Sequence, residues 1–220
     1  MSVDLSHVTT WLFDLDDTLY PAESGLMAEI ERRMTAFVMR VTQLPRDEAY
    51  RLQKDYLVRH GVTLLGLMQN HGVDPAEFAD AYVDIELDAL SHDPELVAAI
   101  EALPGRRLVF TNADARHAER VLRRLGLTDL FHEVFHIASF DYTPKPDPRA
   151  FARMCAEHGV VPAQTCFFED SERNLQPAAD LGMTTVLVGP HALDSAAPFV
   201  HFRAPRLTPF LQGVSRRETR

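Results

Sequence analysis

The chain has 220 residues, 46% hydrophobic and 25% charged, which suits one large globular domain or a core with a small accessory domain. Its net charge of −10 argues against non-specific nucleic-acid binding, which uses Lys and Arg to neutralise phosphates; a small phosphorylated ligand, its charge met locally in a cleft, stays open. No stretch approaches the ~18–20 apolar residues of a membrane helix, no basic, apolar signal segment opens the chain, and Cys155 and Cys166 lack metal-site spacing, so a soluble protein of the reducing cytoplasm is expected.

The first predicted element is a buried strand over Thr10 to Leu15, a short apolar run ending in acids. Roughly 90 residues separate it from the next strand, far beyond the dozen or more that a crossover needs. This insert reads as helical. Met27, Ile30, Met34, Phe37, Val38 and Val41 share one helical face. Pro45 opens a second helix to about His60, and shorter helices are expected over Leu64 to Asn70 and Pro75 to Leu87. Four helices with short links predict a small bundle. Following the first strand directly, it is expected to sit above the C-terminal edge of a parallel sheet, where open sheets bind ligands, and to act as a cap.

Strand and helix then alternate. Strands are predicted at Arg107 to Thr111, Glu133 to Ala138, Thr165 to Phe168 and Thr184 to Val188. Helices are predicted at Ala115 to Leu125, Pro148 to His158 and Ser171 to Leu181, with Gly126, Gly159 and Gly182 as stops. The alternation predicts an α/β fold, a Rossmann-like parallel sheet with an inserted helical-bundle cap. The expected boundaries are 1–19 and 92–220 for the core and 20–91 for the cap. An edge strand is expected near Phe199 to Phe202, and Ser215 to Arg220 reads as a frayed end.

The chemistry gathers at predicted strand ends. Asp14 and Asp16 lie two apart after the first strand, so their side chains start on one side. Two carboxylates that close do not both stay charged unaided. A divalent cation can hold one as an anion while the other serves as general acid, the division of labour that phosphoryl transfer needs. A solvated strand end explains the pair alone equally well. Thr111 and Asn112 end the second strand, where a hydroxyl and an amide can donate to phosphate oxygens, or cap a helix. Lys145, in Thr143-Pro144-Lys145-Pro146-Asp147-Pro148, sits on a stiff loop that can aim an ammonium into acids. Glu169, Asp170 and Ser171 end another strand. Magnesium takes one or two carboxylates among oxygen ligands, so Asp170 can be the second carboxylate beside Asp14, with Glu169 an alternative. A receiver domain carries similar groups in another order, in a shorter chain and without a cap.

In combination these motifs closely resemble the haloacid dehalogenase superfamily of phosphatases, over about residues 9 to 189. Asp14-Leu15-Asp16-Asp17-Thr18 is similar to its first motif, Thr111 to the second, Lys145 to the third and Glu169-Asp170-Ser171 to the fourth. The resemblance implies that Asp14 forms a phosphoaspartyl intermediate and that Asp16 protonates the leaving group and then activates water. It implies Mg2+ held by Asp14, the Asp16 backbone carbonyl and Asp170, with Thr111, Asn112 and Lys145 binding phosphate. Asp17 is expected to be structural or to act on the metal from behind its direct ligands. Dehalogenases lack the acid at the Asp16 position, so its presence favours phosphate over halide substrates. Asn174 stands where many members have an acid. The Leu15-Asp16-Asp17-Thr18-Leu19-Tyr20-Pro21 wording resembles the pyrimidine 5′-nucleotidase branch, which implies a nucleoside monophosphate substrate. A sugar-phosphate phosphatase or phosphomutase, and a non-catalytic regulator on this scaffold, are the alternatives. Tyr20, Glu23, Arg32, Arg33, Tyr56, His60 and Met68 are candidates for facing the cleft.

Overall fold

The computed structural model describes residues 4–215. After β1 (Thr10–Phe13) the chain makes α1 (Leu26–Thr42), α2 (Arg46–His60), α3 (Thr63–His71) and α4 (Pro75–Asp80). It continues through α5 (Pro94–Glu101), β2 (Arg106–Phe110), α6 (Ala115–Leu125), β3 (Glu133–Phe135), α7 (Pro148–His158), β4 (Thr165–Glu169), α8 (Glu172–Asp180), β5 (Thr184–Val188), β6 (Phe202–Ala204) and α9 (Leu207–Ser215). The chain divides into two compact units, one of residues up to Glu23 and from Leu90 onward, the other Ser24–Ala89.

The larger unit is built on a six-stranded sheet, β3-β2-β1-β4-β5-β6, with every pairing parallel. Chain order reverses between β1 and β4, and crevices at such switch points, outside the carboxyl ends of the strands, bind ligands. Strand β1 is buried along its whole length, as a central strand covered on both faces must be. Its Trp11 indole donates to the Pro104 carbonyl at 2.7 Å, so burying the ring strands no polar atom. Phe13 stacks on Phe168 of the neighbouring β4 at 4.7 Å. Helices enter on local signals: Asp93, Asp114 and Asp147 cap α5, α6 and α7 with their carboxylates, and Pro94 and Pro148 occupy the first helical turn.

The smaller unit is helical. Helix α1 buries Leu26, Ile30, Phe37 and Val38; Met27, Met34 and Val41, expected on the same face, are only half-buried. Thr35 and Gln53 form a buried hydrogen bond between α1 and α2. Helix α3 meets α2 at Gly66, where an added Cβ would stand 2.2 Å from the Tyr56 ring.

Several elements differ from expectation. Helix α4 ends at Asp80 rather than running to Leu87, and turns follow. Tyr82, Ile85 and Leu87 are nonetheless buried, so their helix-like spacing reflects burial of an irregular segment. The edge strand starts at Phe202 rather than Phe199. The Thr185 hydroxyl binds the Phe199 carbonyl at 2.5 Å and accepts from the His201 amide at 3.2 Å, so a side chain takes the place of the ladder until Val186 pairs with Phe202. Strand β3 stops at Phe135, and a 3-10 turn follows over Ile137–Phe140. Helices α5 and α9 were not expected. The frayed end falls on residues 216–220, outside those described; Ser215 closes α9. Among the described residues no helix is long and apolar enough to cross a membrane.

Candidate active site

Asp14 is the first residue past β1, and its amide donates to the Phe168 carbonyl at 2.9 Å, extending the β1–β4 pairing by one step. Its buried carboxylate accepts from Lys145 Nζ at 2.6 Å and from the Thr18 hydroxyl at 3.3 Å. Thr18 reaches back because the chain turns sharply at Asp17, whose φ of 58° lies in the left-handed region. Asp tolerates that region better than most residues, and the turn closes through the Leu19 amide on the Leu15 carbonyl at 2.9 Å.

Lys145 is 1% exposed. Its ammonium is shared between Asp14 and Glu169 Oε2, the latter at 2.7 Å. Glu169 Oε1 accepts from the Ser171 amide at 3.1 Å, so both its oxygens are engaged. Asn112 braces the lysine loop: its Nδ2 donates to the Lys145 carbonyl at 3.0 Å and its Oδ1 accepts from the Lys145 amide at 2.8 Å. Sequence reasoning expected that amide to contact phosphate; here both its ends grip the loop that carries the ammonium. Thr111 is buried, and its Oγ1 accepts from the Ala113 amide at 3.0 Å, which leaves the hydroxyl proton free to donate.

Asp16 is held separately. Its Oδ1 accepts from the Tyr20 hydroxyl at 2.6 Å and from His117 Nε2 at 2.8 Å. Tyr20 was among the cleft candidates. His117 was missed, although it is a polar residue on the apolar stripe of α6, beside Ala118, Val121, Leu122 and Leu125. An imidazole there without a partner would be costly, and that was the available signal.

Charge is unbalanced in this cluster. Burial, then the nearby Glu169 carboxylate, pushes Asp14 up to about 7 despite Lys145. Burial also lifts Glu169 to about 7, with Lys145 opposing and Asp170 adding to the rise. Burial and the Asp14 charge bring Asp170 to about 6, and burial with the Asp16 charge brings Asp17 to about 6. Asp16 moves the other way: burial would raise it, but His117 and Tyr20 hold it below the ordinary carboxylate range. The imidazole of His117 is raised, its burial outweighed by the Asp16 carboxylate.

Acids whose charge is this expensive form a donor set short of positive charge. Carboxylate oxygens of Asp14, Glu169 and Asp170 lie within 4.8 Å of one another. Nearby, Asp17 Oδ1, and one helical turn past Asp170 the buried Asn174 Oδ1, are buried acceptors without a hydrogen-bond partner, suited to water on a hydrated ion. The residues therefore fit a hard divalent cation with oxygen ligands, with Asp14, Glu169 and Asp170 as the carboxylates within reach of one ion. Beside them opens a cavity of about 450 Å³ lined by Asp17, Asp170, Glu172, Leu187, Gly189 and His191, among others.

A family model described as haloacid dehalogenase-like hydrolase matches residues 8–182. The chain is similar to the glyceraldehyde 3-phosphate phosphatase of Methanopyrus kandleri, 30% identical over 80% of this chain and 82% of that protein. It is 27% identical to Phosphate metabolism protein 8 of Saccharomyces cerevisiae over 80% of this chain, and the match spans 60% of the yeast protein's length. The fold matches the crystal structure of a HAD phosphatase from Thermococcus onnurineus with a TM-score of 0.65 at 20% identity, covering 93% of this chain and 97% of that one.

Proposed function

Since the chain belongs to the haloacid dehalogenase-like hydrolases, we propose that it is a phosphatase that hydrolyses phosphomonoesters with Mg2+ through a covalent phosphoaspartate on Asp14. The observation that carries this reading is the buried Asp14 carboxylate at the end of the central strand, in contact with Lys145 and within metal-ligand reach of Asp170. Asp14 attacks phosphorus, and the bond from phosphorus to the leaving oxygen breaks. Asp16 gives that oxygen its proton. Water then attacks the phosphoaspartate and loses a proton to Asp16, releasing orthophosphate and restoring both aspartates. Asp16 must be protonated for the first step, and a phosphate dianion bound beside it raises its pKa by like-charge repulsion. Thr111 and Lys145 would hold the non-bridging oxygens, while Asn112 keeps the lysine loop in place. Asp14, Asp170 and the Asp16 backbone carbonyl would hold Mg2+, whose charge offsets that of the carboxylates and the phosphate.

The leaving group is proposed to be that of a small metabolite. The M. kandleri relative's name favours small sugar phosphates. The pyrimidine nucleoside monophosphate reading rests on the segment from Leu15 to Pro21. Residues 24–89, inserted directly after that segment, are proposed as the cap that selects between them. A cytoplasmic setting is supported by two free cysteines, one buried.

Phosphate release from triose and sugar phosphates and from UMP and CMP, with Mg2+ and with chelator, tests the reading. Release is expected only with the metal, and Asp14→Asn abolishes it. Substantial release by Asp14→Asn removes Asp14 from the nucleophile role, and faster release from UMP and CMP than from any sugar phosphate selects the nucleotidase.

A further inference from the structure

Asp16 has two oxygens, and the structure treats them unequally. Tyr20 and His117 both direct their donors at Oδ1, at 2.6 and 2.8 Å. The two donors come from different elements: Tyr20 is four residues further along the same turn, and His117 stands in the first turn of α6. Both side chains are buried, at 3% and 4% exposure. A Tyr hydroxyl can donate to a carboxylate, and His117 Nε2 must donate because an ionised carboxylate only accepts.

We infer that Tyr20 and His117 are positioning residues that bind Asp16 Oδ1 in common and so assign proton transfer to Oδ2. A protonated Asp16 keeps both hydrogen bonds only if its proton sits on Oδ2; a proton on Oδ1 would face two donors. The same two bonds therefore persist through both half-reactions. When the bond from phosphorus to the leaving oxygen breaks, the Oδ2 proton passes to that oxygen, and Asp16 becomes a carboxylate without releasing Oδ1. When water attacks the phosphoaspartate, Oδ2 takes up the water proton. The carboxyl plane need not rotate between steps, which is the geometric economy expected of a preorganised acid–base group.

This inference rests on the reading of Asp16 as the acid–base group, and the test separates the two. The measured quantity is kcat/KM, which covers binding through formation of the phosphoaspartate. It is taken for two substrates, 4-nitrophenyl phosphate, whose leaving group needs little protonation, and a simple alkyl phosphate, whose leaving group needs it fully. Tyr20→Phe and His117→Ala are each expected to cut kcat/KM for the alkyl ester about tenfold or more relative to the aryl ester, and Asp16→Asn by about a hundredfold or more. His117→Gln, which keeps a donor near the Nε2 position, should recover most of the alkyl activity lost in His117→Ala. A general structural defect would lower both substrates together. If Asp16→Asn shows the selective loss while Tyr20→Phe and His117→Ala lower both esters equally, the positioning role is overturned and Asp16 keeps its role. If Asp16→Asn shows no selective loss, the acid–base reading itself fails. Should His117→Ala not fold, Tyr20→Phe, which removes a single oxygen, decides the matter alone.

Discussion

The Lys145 ammonium is in direct contact with both Asp14 and Glu169, and it is as buried as its partners. Removing one partner of a buried ion pair leaves an uncompensated charge, at a typical loss of about 3–5 kcal/mol. Lys145→Met is expected to destabilise by about that much at neutral pH, and Lys145→Met combined with Glu169→Gln by clearly less than the sum of the single changes. Urea unfolding of the two single variants and the double variant measures this; additive losses would mean that the ammonium and Glu169 do not interact. A pH dependence follows from the same charges. Asp14, Glu169 and Asp170 have folded values of about 6 to 7, above their ordinary ones. Groups raised in this way favour the fold below their ordinary values, and that contribution is lost as pH rises through 6 to 7. A cation that requires them ionised must displace protons there. Magnesium binding is therefore expected to strengthen from pH 5.5 to 8 and to release protons near pH 6. Titration calorimetry in two buffers of different ionisation enthalpy reads the proton count, and identical heats would remove the linkage.

At the scale of elements, the approach of α3 to α2 allows a direct test. The Cβ of an alanine at position 66 would stand 2.2 Å from Cγ and 2.6 Å from Cβ of Tyr56, the inflexible base of that side chain rather than its tip. Gly66→Ala is expected to destabilise the helical unit by about 1–3 kcal/mol, against the propensity gain of up to ~1 kcal/mol that alanine brings to a helix interior. The thermal midpoint decides the sign. Element boundaries also show where the sequence was legible. Helices α6 and α7 begin and end where predicted because Asp114, Asp147, Pro148, Gly126 and Gly159 act within a few residues of themselves. The strand ends carrying Asp14, Thr111 and Asp170 could be placed because short apolar runs mark buried parallel strands, whereas Lys145 lies ten residues past the end of β3, on the loop that leads into α7. What was not legible depended on distant partners. The end of α4, the late start of β6 at the Thr185 hydroxyl, the bracing role of Asn112 and the contact of His117 with Asp16 arise from residues far apart in sequence or from irregular packing. Periodicity carries no record of them. Helix α5 is different: the pair Asp93-Pro94 announces it locally.

Across the whole molecule, a net charge of −10 opposes the approach of an anionic substrate. Electrostatic steering speeds association when charges are opposite; here the long-range field acts against capture. Added salt shortens the Debye length from about 10 Å at 0.1 M to about 3 Å at 1 M and weakens that repulsion. At saturating Mg2+, kcat/KM for a phosphomonoester is expected to rise several-fold between 10 and 150 mM of an inert salt, with kcat little changed. A fall would mean that the field at the cleft mouth is already positive.

The position of β1 in the middle of the sheet has a consequence in time. Its register pairs Thr10 with Arg106 on one side and Thr165 on the other, so the strand that leads to Asp14 finds its second neighbour only after a long further stretch of chain has been made. At ~5–20 residues per second of synthesis, the second neighbour emerges on the order of ten seconds after the first strand. Until then Thr10–Phe13 is an apolar segment with unpaired edges, the kind that aggregates when left waiting. The strand that leads to Asp14 is thus a segment open to mispairing until β4 has been made.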